Sequence, residues 1–418
     1  MVGTKPDAFG MRRNLFREMR EGSVDRVTYV ELFFDLVFVL AITQLSGLLS
    51  REPNGWGFAQ TVVVSLAVWW LWVYTSWATN WLDPDTRPVL WLLLLLMVIA
   101  LLLSSSIPEA FGAKGLLFAG TYLLYHVVRA LFVIAASAKH RPEVANGQKR
   151  ILAWLAMSAP FWLVGAFQDE KLRLLLWGVG LTIDYLGPAT LFWLPKAGRS
   201  SWEAWQIRGA HFAERSALFI IIVLGESVLV AGRALSGDTL SVESSLAFAS
   251  AFAAAVTLWL LYFAHGERGG TSFIKARSST GPVARVSYTY VHVVLVIGIV
   301  ITTHGHEVVS HHPHEEADAA LFAFAALGPA IYLLGNIAFK ASVGIPPRLL
   351  PGHVGGTLAF IALFALGAAG VLHANALTLS WVATVVLIVV VAIDERLWRR
   401  RNPTDSPSHS TTATGPAS

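Results

Sequence analysis

Residues 88–107 read PVLWLLLLLMVIALLLSSSI, a run of twenty residues without a charged side chain. A helix rises about 1.5 Å per residue, so this run would be about 30 Å long, the thickness of the hydrocarbon core of a bilayer. A helix also satisfies its own backbone hydrogen bonds, which lipid cannot do. The run therefore predicts a membrane-spanning helix.

Blocks of the same kind recur along the whole chain. We place them at 29–50, 58–78, 88–107, 115–137, 150–168, 172–194, 212–234, 243–265, 286–303, 318–341, 354–373 and 377–397. The fifth and sixth blocks, and the eleventh and twelfth, are joined by only a few residues, which also allows re-entrant hairpins. The predicted fold is all-α, a polytopic membrane bundle of about twelve transmembrane helices.

The overall composition agrees with a chain whose surroundings are a lipid bilayer. Of the 418 residues, 55% are hydrophobic and 14% are charged, whereas a soluble domain carries about a quarter charged residues. Many of the 16 tryptophans lie at block ends, as in the aromatic belts of membrane proteins. Because the chain has no cysteine, disulfides, thiolate metal sites and cysteine nucleophiles are excluded.

The positions of the basic residues predict the orientation. If the N-terminus is cytoplasmic and twelve spans alternate, 24 of the 31 Lys and Arg residues lie on the cytoplasmic side and five on the outer side. This asymmetry follows the positive-inside rule. The sequence thus predicts a multi-pass protein with both termini in the cytoplasm. The net charge of +4 then reflects topology, and we expect no nucleic-acid partner.

The predicted organisation has four parts. They are a basic cytoplasmic segment at 1–28, a first six-helix half at 29–200, a second six-helix half at 201–401 and a disordered cytoplasmic tail at 402–418, rich in Ser, Thr and Pro. The halves are weakly alike, since each opens with an acidic residue, Glu31 or Glu214, and closes on a helix with one aspartate, Asp184 or Asp394. Two parallel repeats would explain this likeness, and so would the shared composition of apolar helices.

Two stretches are more specific than a generic membrane helix. One is VELFFDLVFVLAITQLS at 30–46 and the other is HFAERSALFIIIVLGES at 211–227. Together with WATN at 77–80 and YVH at 290–292, they resemble the bacterial low temperature requirement protein A (LtrA) family over about residues 25–395. The resemblance implies a multi-spanning protein of the bacterial cell (inner) membrane. The family takes its name from a phenotype of growth in the cold, so the resemblance implies no particular reaction.

Ionisable residues inside the apolar blocks are the candidates for function. A charge at the bilayer centre costs at least about 2.5–3.5 kcal/mol on insertion scales, so it needs a partner or a water-filled cavity. The candidates are Glu31, Asp35, Gln44, Arg129, Asp184, His211, Glu214, Arg215, Glu226 and Ser227. They form either a polar pathway for an ion or small solute, or a network in which Arg129, Arg215 and His211 neutralise the acids and fix the helices.

A histidine-rich stretch, HGHEVVSHHPHEE at 304–316, is predicted to face outward. Imidazole suits zinc, copper or nickel, which makes His304, His306, His311, His312 and His314 candidate metal ligands. The stretch has no fixed ligand spacing and Pro313 interrupts it. A solvated loop with incidental metal affinity is the alternative, and the simpler one.

The sequence favours transport over catalysis. It contains no Walker loop, no GxGxxG and no HExxH, so we expect neither an enzyme nor a cofactor. An enzyme acting on lipid-linked substrates is the least supported alternative. The leading hypothesis is a transporter or channel for a small solute or ion. The alternative from another class is a non-transporting membrane scaffold or sensor that supports growth at low temperature. The solute, the coupling ion and the formation of a homo-oligomer are left open.

Overall fold

The computed structural model describes residues 14–17, 27–201, 203–233, 235, 241–276 and 280–401. The predicted tail at 402–418 and most of the predicted segment at 1–28 lie outside these residues. The described part of the chain is helical and contains no β-strand.

Twelve long helices run through the described residues. They are α1 (Tyr29–Arg51), α2 (Gly55–Trp81), α3 (Arg87–Ser106), α4 (Gly115–Ser137), α5 (Pro142–Ala166), α6 (Glu170–Ala189), α7 (Gly209–Arg233), α8 (Val242–Tyr262), α9 (Gly281–His311), α10 (Ala319–Ser342), α11 (Pro351–Ala368) and α12 (Ala376–Arg401). A short helix, Arg268–Lys275, follows α8. Each long helix coincides with one predicted apolar block, so the prediction of an all-α polytopic bundle is confirmed.

Ten of these helices are long and apolar enough to cross a membrane, namely α1 to α4 and α7 to α12. The two others, α5 and α6, form an antiparallel pair joined by three residues, 167–169. They contain more charge, including Arg150 in α5 and Lys171, Arg173 and Asp184 in α6. This is one of the two pairs whose short connection also allowed a hairpin. Twelve helices are therefore established here, and twelve crossings remain a prediction.

The start of α1 is fixed by local sequence. Thr28 and Glu31 form a capping box, in which the Thr28 hydroxyl accepts from the Glu31 backbone and the Glu31 carboxylate accepts from the Thr28 backbone at 3.0 Å. Polar side chains also cap other helices, for example Asn54 at α2 and Asp318 at α10. The cap of α1 matters most, because it sets the depth of Glu31 and of the residues one turn farther along.

The two halves of the chain show the same order of helix neighbours. In the first half, α1 packs on α2 and α3, the chain continues through α4 and α5 to α6, and α6 returns to α2. In the second half, α7 packs on α8 and α9, the chain continues through α10 and α11 to α12, and α12 returns to α8. The parallel repeat itself stays a prediction, and superposition of the two halves is its direct test. The halves meet where α1 and α2 contact α7 and α9.

Small residues bring α9 and α10 together. A Cβ atom on Gly298 would lie 2.6 Å from the backbone nitrogen of Tyr332, and one on Gly328 would lie 2.6 Å from that of Thr302. Glycine at these positions lets the two backbones approach closely, as in other membrane helix pairs.

Two π-helical segments interrupt the regular helices next to each other. One is Phe263–Glu267, after α8, and the other is Ala284–Val291, in the first turns of α9. The Tyr262 hydroxyl lies 2.8 Å from Nε2 of His292, which joins the two regions. π-Helical turns are frequent at functional sites, so the first turns of α9 are a candidate part of such a site.

Candidate functional site

An ion network joins the first helix of one half to the first helix of the other. Glu31 and Asp35 lie one turn apart on α1, and His211 and Arg215 lie one turn apart on α7. The Arg215 guanidinium donates to Oδ1 of Asp35 at 2.6 Å and lies 3.5 Å from Oε1 of Glu31. All four side chains are completely buried. The ion pairs therefore lie inside the protein, away from water and lipid.

Helix α2 completes the coordination of these groups. The indole Nε1 of Trp72 donates to Oδ1 of Asp35 at 2.8 Å. The hydroxyl of Thr79 accepts from Nη1 of Arg215 at 2.6 Å. Both residues lie in the part of α2 that packs against α7, so three helices hold one pair of opposite charges.

A second arginine closes the network at the beginning of α1. Arg17 donates to Oε2 of Glu31 at 2.9 Å and, through Nε, to the Thr79 carbonyl at 2.8 Å. Nε2 of His211 lies 3.2 Å from Oε2 of Glu31, and Nδ1 of His211 lies 3.3 Å from the Asn80 amide nitrogen. We call Arg17, Glu31, Asp35, His211 and Arg215 the α1–α7 network. Its two carboxylates face two guanidinium groups, so its formal charges balance if His211 is neutral.

One atom of the network stands apart. Oδ2 of Asp35 is buried and has no hydrogen-bond partner within the described residues. A buried carboxylate oxygen without a donor is destabilising. Oδ2 is therefore the atom of the network at which a proton or a cation would bind without replacing a hydrogen bond.

The other acidic candidate on α7 lies near the opposite end of the helix. Glu226 follows Arg215 by eleven residues, about 16 Å along the axis. Its Oε1 lies 3.1 Å from Nη2 of Arg233, and Nη1 of the same arginine lies 3.6 Å from Oε1 of Glu307 in α9. Next to it, the hydroxyls of Ser227 and Thr303 are 2.5 Å apart. We call this group the α7–α9 cluster, formed by Glu226, Ser227, Arg233, Thr303 and Glu307.

Two further candidates lie on the same two helices. Gln44 is partly buried on α1, and Glu214 is partly buried on α7. Of the other ionisable candidates of α7, His211 and Arg215 belong to the α1–α7 network and Glu226 belongs to the α7–α9 cluster.

Arg129 and Asp184 do not form an ion pair. The Asp184 carboxylate accepts from the Ser158 hydroxyl at 2.6 Å, the Tyr122 hydroxyl at 2.9 Å and the Trp162 indole at 3.1 Å. Arg129 instead donates to the side-chain oxygen of Gln148. The structure therefore departs from the neutralised network considered from the sequence, in which these opposite charges could compensate each other.

A buried triad was missed by the sequence analysis. Lys340 of α10 lies 3.0 Å from Asp394 of α12, and its amine lies 3.1 Å from Nε2 of His353 in α11. All three side chains are buried. The topological count placed Lys340 on the cytoplasmic side, but it lies inside α10. Lys340 is the last residue but one of the apolar block at 318–341, and a basic residue there can lie either in the helix or in the loop that follows it.

The five histidines proposed as metal ligands have different surroundings. His304 is buried in α9, and Nδ1 of His306 lies 3.1 Å from the hydroxyl of Ser380. The other three, His311, His312 and His314, are exposed at the end of α9 and in the following connection. Among the residues that the structure describes, no three His, Cys, Asp or Glu side chains lie together in a way that could hold a metal ion. The solvated-loop interpretation fits the last three histidines.

Comparison with known proteins bears on this arrangement. A family model described as bacterial low temperature requirement A protein (LtrA) matches residues 26–392. This chain belongs to the LtrA family. The chain is 35% identical over 360 residues to the uncharacterized protein RA0937 of Rhizobium meliloti (strain 1021). The aligned residues cover 85% of this chain and 87% of the relative. No solved structure gives a significant match. The protein is an integral membrane protein of the LtrA type.

The stretches that carried the LtrA resemblance meet in space. The first supplies Glu31 and Asp35, the second supplies His211 and Arg215, and WATN supplies Thr79. Sequence reasoning chose the charged members, because intramembrane charge is a clear signal. It missed Thr79, which lies in the quoted motif but carries no charge, and Trp72, which lies outside the motif. It also missed Arg17, which was counted only as a basic residue.

Proposed function

We propose that this LtrA protein moves a small solute or ion across the bacterial inner membrane, and that the α1–α7 network is the closed gate of its pathway. The observation that carries the proposal is the ion pair between Asp35 and Arg215, because it lies at the contact between the two halves. Transporters of parallel-repeat architecture bind and gate at such contacts.

The energetics of buried charge support a working role for the network. A buried ion pair is weak evidence for stability, since apolar replacements of both partners are often neutral or stabilising. Two carboxylates and two guanidinium groups are a costly way to hold helices together. The free oxygen of Asp35 gives the network a further capacity, because it can take up a proton or a cation without first losing a hydrogen bond.

The space between the two polar groups on α7 is filled by aromatic rings. The ring centroid of Phe219 lies 4.4 Å from that of Trp72, 5.5 Å from that of Trp69 and 6.1 Å from that of Phe38. These side chains follow the α1–α7 network in depth and precede the α7–α9 cluster. In the proposed mechanism they close the pathway, and a solute passes only when α1 and α7 separate.

A second function has its own support. The charge balance of the α1–α7 network and the tight aromatic packing beside it also suit a protein that does not transport, such as a scaffold or sensor that acts at low temperature. In that case the network fixes the position of α1 on α7 and conducts nothing.

Flux measurements separate the two functions. The purified protein is reconstituted in liposomes and tested with a panel of ions and small solutes, by tracer flux and by electrophysiology. Wild type is compared with Asp35→Asn and with Asp318→Asn, the same chemical change at an exposed helix cap, where Asn caps as well as Asp.

The transport proposal expects flux in wild type and in Asp318→Asn, and loss of flux in Asp35→Asn that still elutes as a folded protein. Undiminished flux in Asp35→Asn would remove Asp35 from the pathway. Absence of flux in wild type for the whole panel would favour the scaffold or sensor.

A further inference from the structure

Three buried arginines differ in the kind of partner that compensates their charge. They are Arg129 of α4, Arg173 of α6 and Arg215 of α7. Arg215 is paired with carboxylates, as described above. Arg173 of α6 donates to five backbone carbonyls, those of Ala110, Gly112, Gly165, Ala166 and Gln168, at 2.8–3.2 Å. Arg129 has neither kind of partner.

The guanidinium of Arg129 is almost completely buried in α4, with 1% of the residue exposed. It has one hydrogen bond, to the neutral amide oxygen of Gln148 at 3.2 Å. It also lies over the ring of Tyr74, 4.6 Å from the centroid. Its Nε and Nη2 atoms are buried and have no hydrogen-bond partner within the described chain. One turn away, Nε2 of His126 is also buried without a partner.

This arrangement leaves a positive charge uncompensated in a region of low dielectric. Arg stays protonated in proteins, and a buried unpaired charge is strongly destabilising. The aspartate at similar depth, Asp184, is held by three neutral donors elsewhere and does not compensate it. An anion with at least one acceptor atom would compensate the charge of Arg129.

Tyr74, over whose ring this guanidinium lies, is also part of the wall of a cavity. It has a volume of about 30 Å³ and is lined by Trp70, Tyr74, Trp77, Trp205, Arg285 and others, with no carboxylate among its lining residues. Arg285 gives its lining a positive charge. A bound water needs about 10–15 Å³ on this measure, so the cavity suits one small solute of a few heavy atoms.

The backbone around the cavity is irregular on two sides. Leu191 and Phe192 both have positive φ values, 55° and 49°, and both line it. The opposite wall is the π-helical segment Ala284–Val291, which contributes Arg285 and Thr289. Strained non-glycine residues and π-helical turns both cluster at functional sites. Their convergence on one cavity favours a binding site over a packing defect.

We propose that Arg129 binds a small monovalent anion, of the size of a halide, nitrate or formate, which enters through this cavity as Tyr74 turns aside. The single charge follows from the single uncompensated guanidinium, and the small size follows from the cavity volume. A role for this anion as the transported solute rests on the proposed function. Its binding does not, because binding needs no movement across the membrane.

The test uses tryptophan fluorescence of the full-length protein in detergent. Bromide is titrated against gluconate at constant ionic strength, and the thermal unfolding midpoint is recorded in both salts. Because Trp70 and Trp77 line the cavity, a bound bromide adds a saturable component to the linear quenching of exposed tryptophans. We expect this component and a raised unfolding midpoint in bromide, and displacement of the saturable component by nitrate or formate.

Variants assign the effect to Arg129. Arg129→Gln should weaken the apparent affinity by about tenfold or more, since charge-assisted hydrogen bonds to the anion are lost. Arg129→Lys should retain part of it. Arg173→Gln is the matched control and should keep the saturable component, because its partners are backbone carbonyls. Saturable quenching that is unchanged in Arg129→Gln would overturn the assignment.

Measurements on the wild-type protein alone can also disprove anion binding at Arg129. Purely linear quenching and an unchanged unfolding midpoint in wild type would overturn it even if Arg129→Gln does not fold. Saturable bromide binding in a protein without flux for any solute would retain this site and reject the proposed function. Flux of a cation in a protein that binds no anion would retain the proposed function and reject this site.

Discussion

Arg215 of α7 donates to Asp35 of α1 at 2.6 Å, and through this contact the opening helix of one half is tied to the opening helix of the other. Neither group has water to replace its partner, because both side chains are completely buried. The same contact can therefore serve as a gate or as a brace. Solute flux separates the two roles when the contact is broken, whereas a loss of stability is expected in both.

Replacement of Arg215 by Gln should destabilise the protein whichever role holds. Two buried carboxylates, Asp35 and Glu31, would lose their shared guanidinium, and breaking a buried pair on one side costs about 3–5 kcal/mol. We expect a clearly lowered midpoint of thermal unfolding in detergent. The control is Arg399→Gln, because Arg399 pairs with Glu395 on the surface and its loss should change stability by about 0.5 kcal/mol or less. Equal unfolding midpoints in the two variants would contradict the geometry of the network.

The sequence predicted the depth of the network residues but not their partners. Hydropathy and helical spacing place Asp35 one turn beyond Glu31 and place Arg215 near the start of its own block. They do not say which face of a helix meets which neighbour. For that reason Arg129 and Asp184, which lie at similar depth, were candidates for mutual neutralisation, and the structure turns them toward different partners.

The triad of the second half allows a test in which both partners are removed. Lys340→Met leaves Asp394 buried beside His353 and should lower stability by about 3–5 kcal/mol. Adding Asp394→Leu should recover most of that loss, because an apolar pair replaces the ion pair. The measurement is the unfolding midpoint of the two single variants and the double variant. A double variant less stable than both single variants would show that the charges have other partners than each other.

Close packing of α9 on α10 depends on glycine, which can be tested with two identical substitutions. Gly298→Ala would place a Cβ atom 2.6 Å from the backbone nitrogen of Tyr332, so the helices must move apart. Overpacking of this kind costs about 1–3 kcal/mol. Gly47→Ala in α1 meets no atom within 4 Å and should be neutral. Unfolding in detergent distinguishes the variants, and a fully stable Gly298→Ala would show that the two backbones are farther apart.

Sequence patterns predicted the number of helices but do not determine how many of them cross the membrane. Length and apolar content identified all twelve helices, because each is at least 18 residues long and mostly apolar. They do not decide whether α5 and α6 cross the membrane, since both helices contain charged residues. Some of these charged side chains have hydrogen-bond partners inside the protein, as Arg173 has in the carbonyls of Ala110 and Ala166. A hydropathy scale, which depends on composition alone, does not take such partners into account.

Cysteine labelling can decide both the orientation and the number of crossings, because the wild-type chain contains no cysteine. Three single variants are needed: His140→Cys between α4 and α5, Gln168→Cys between α5 and α6, and His314→Cys between α9 and α10. If the termini are cytoplasmic and all twelve helices cross, a membrane-impermeant maleimide added to spheroplasts should label positions 168 and 314. Position 140 should react only after the membrane is permeabilised, as the basic residues around it predict.

Each departure from this pattern has its own meaning. Labelling at 314 without labelling at 168 would show that α5 and α6 form a hairpin that does not cross, so that ten helices span the membrane. Labelling at 140 in intact spheroplasts, with protection at 314, would reverse the orientation. The hairpin would also place Asp184, which is held by Ser158 and Tyr122, in a re-entrant element. The cavity lined by Tyr74 has Pro188, from the end of this pair, in its wall, so the orientation of the protein determines from which side an anion would enter it.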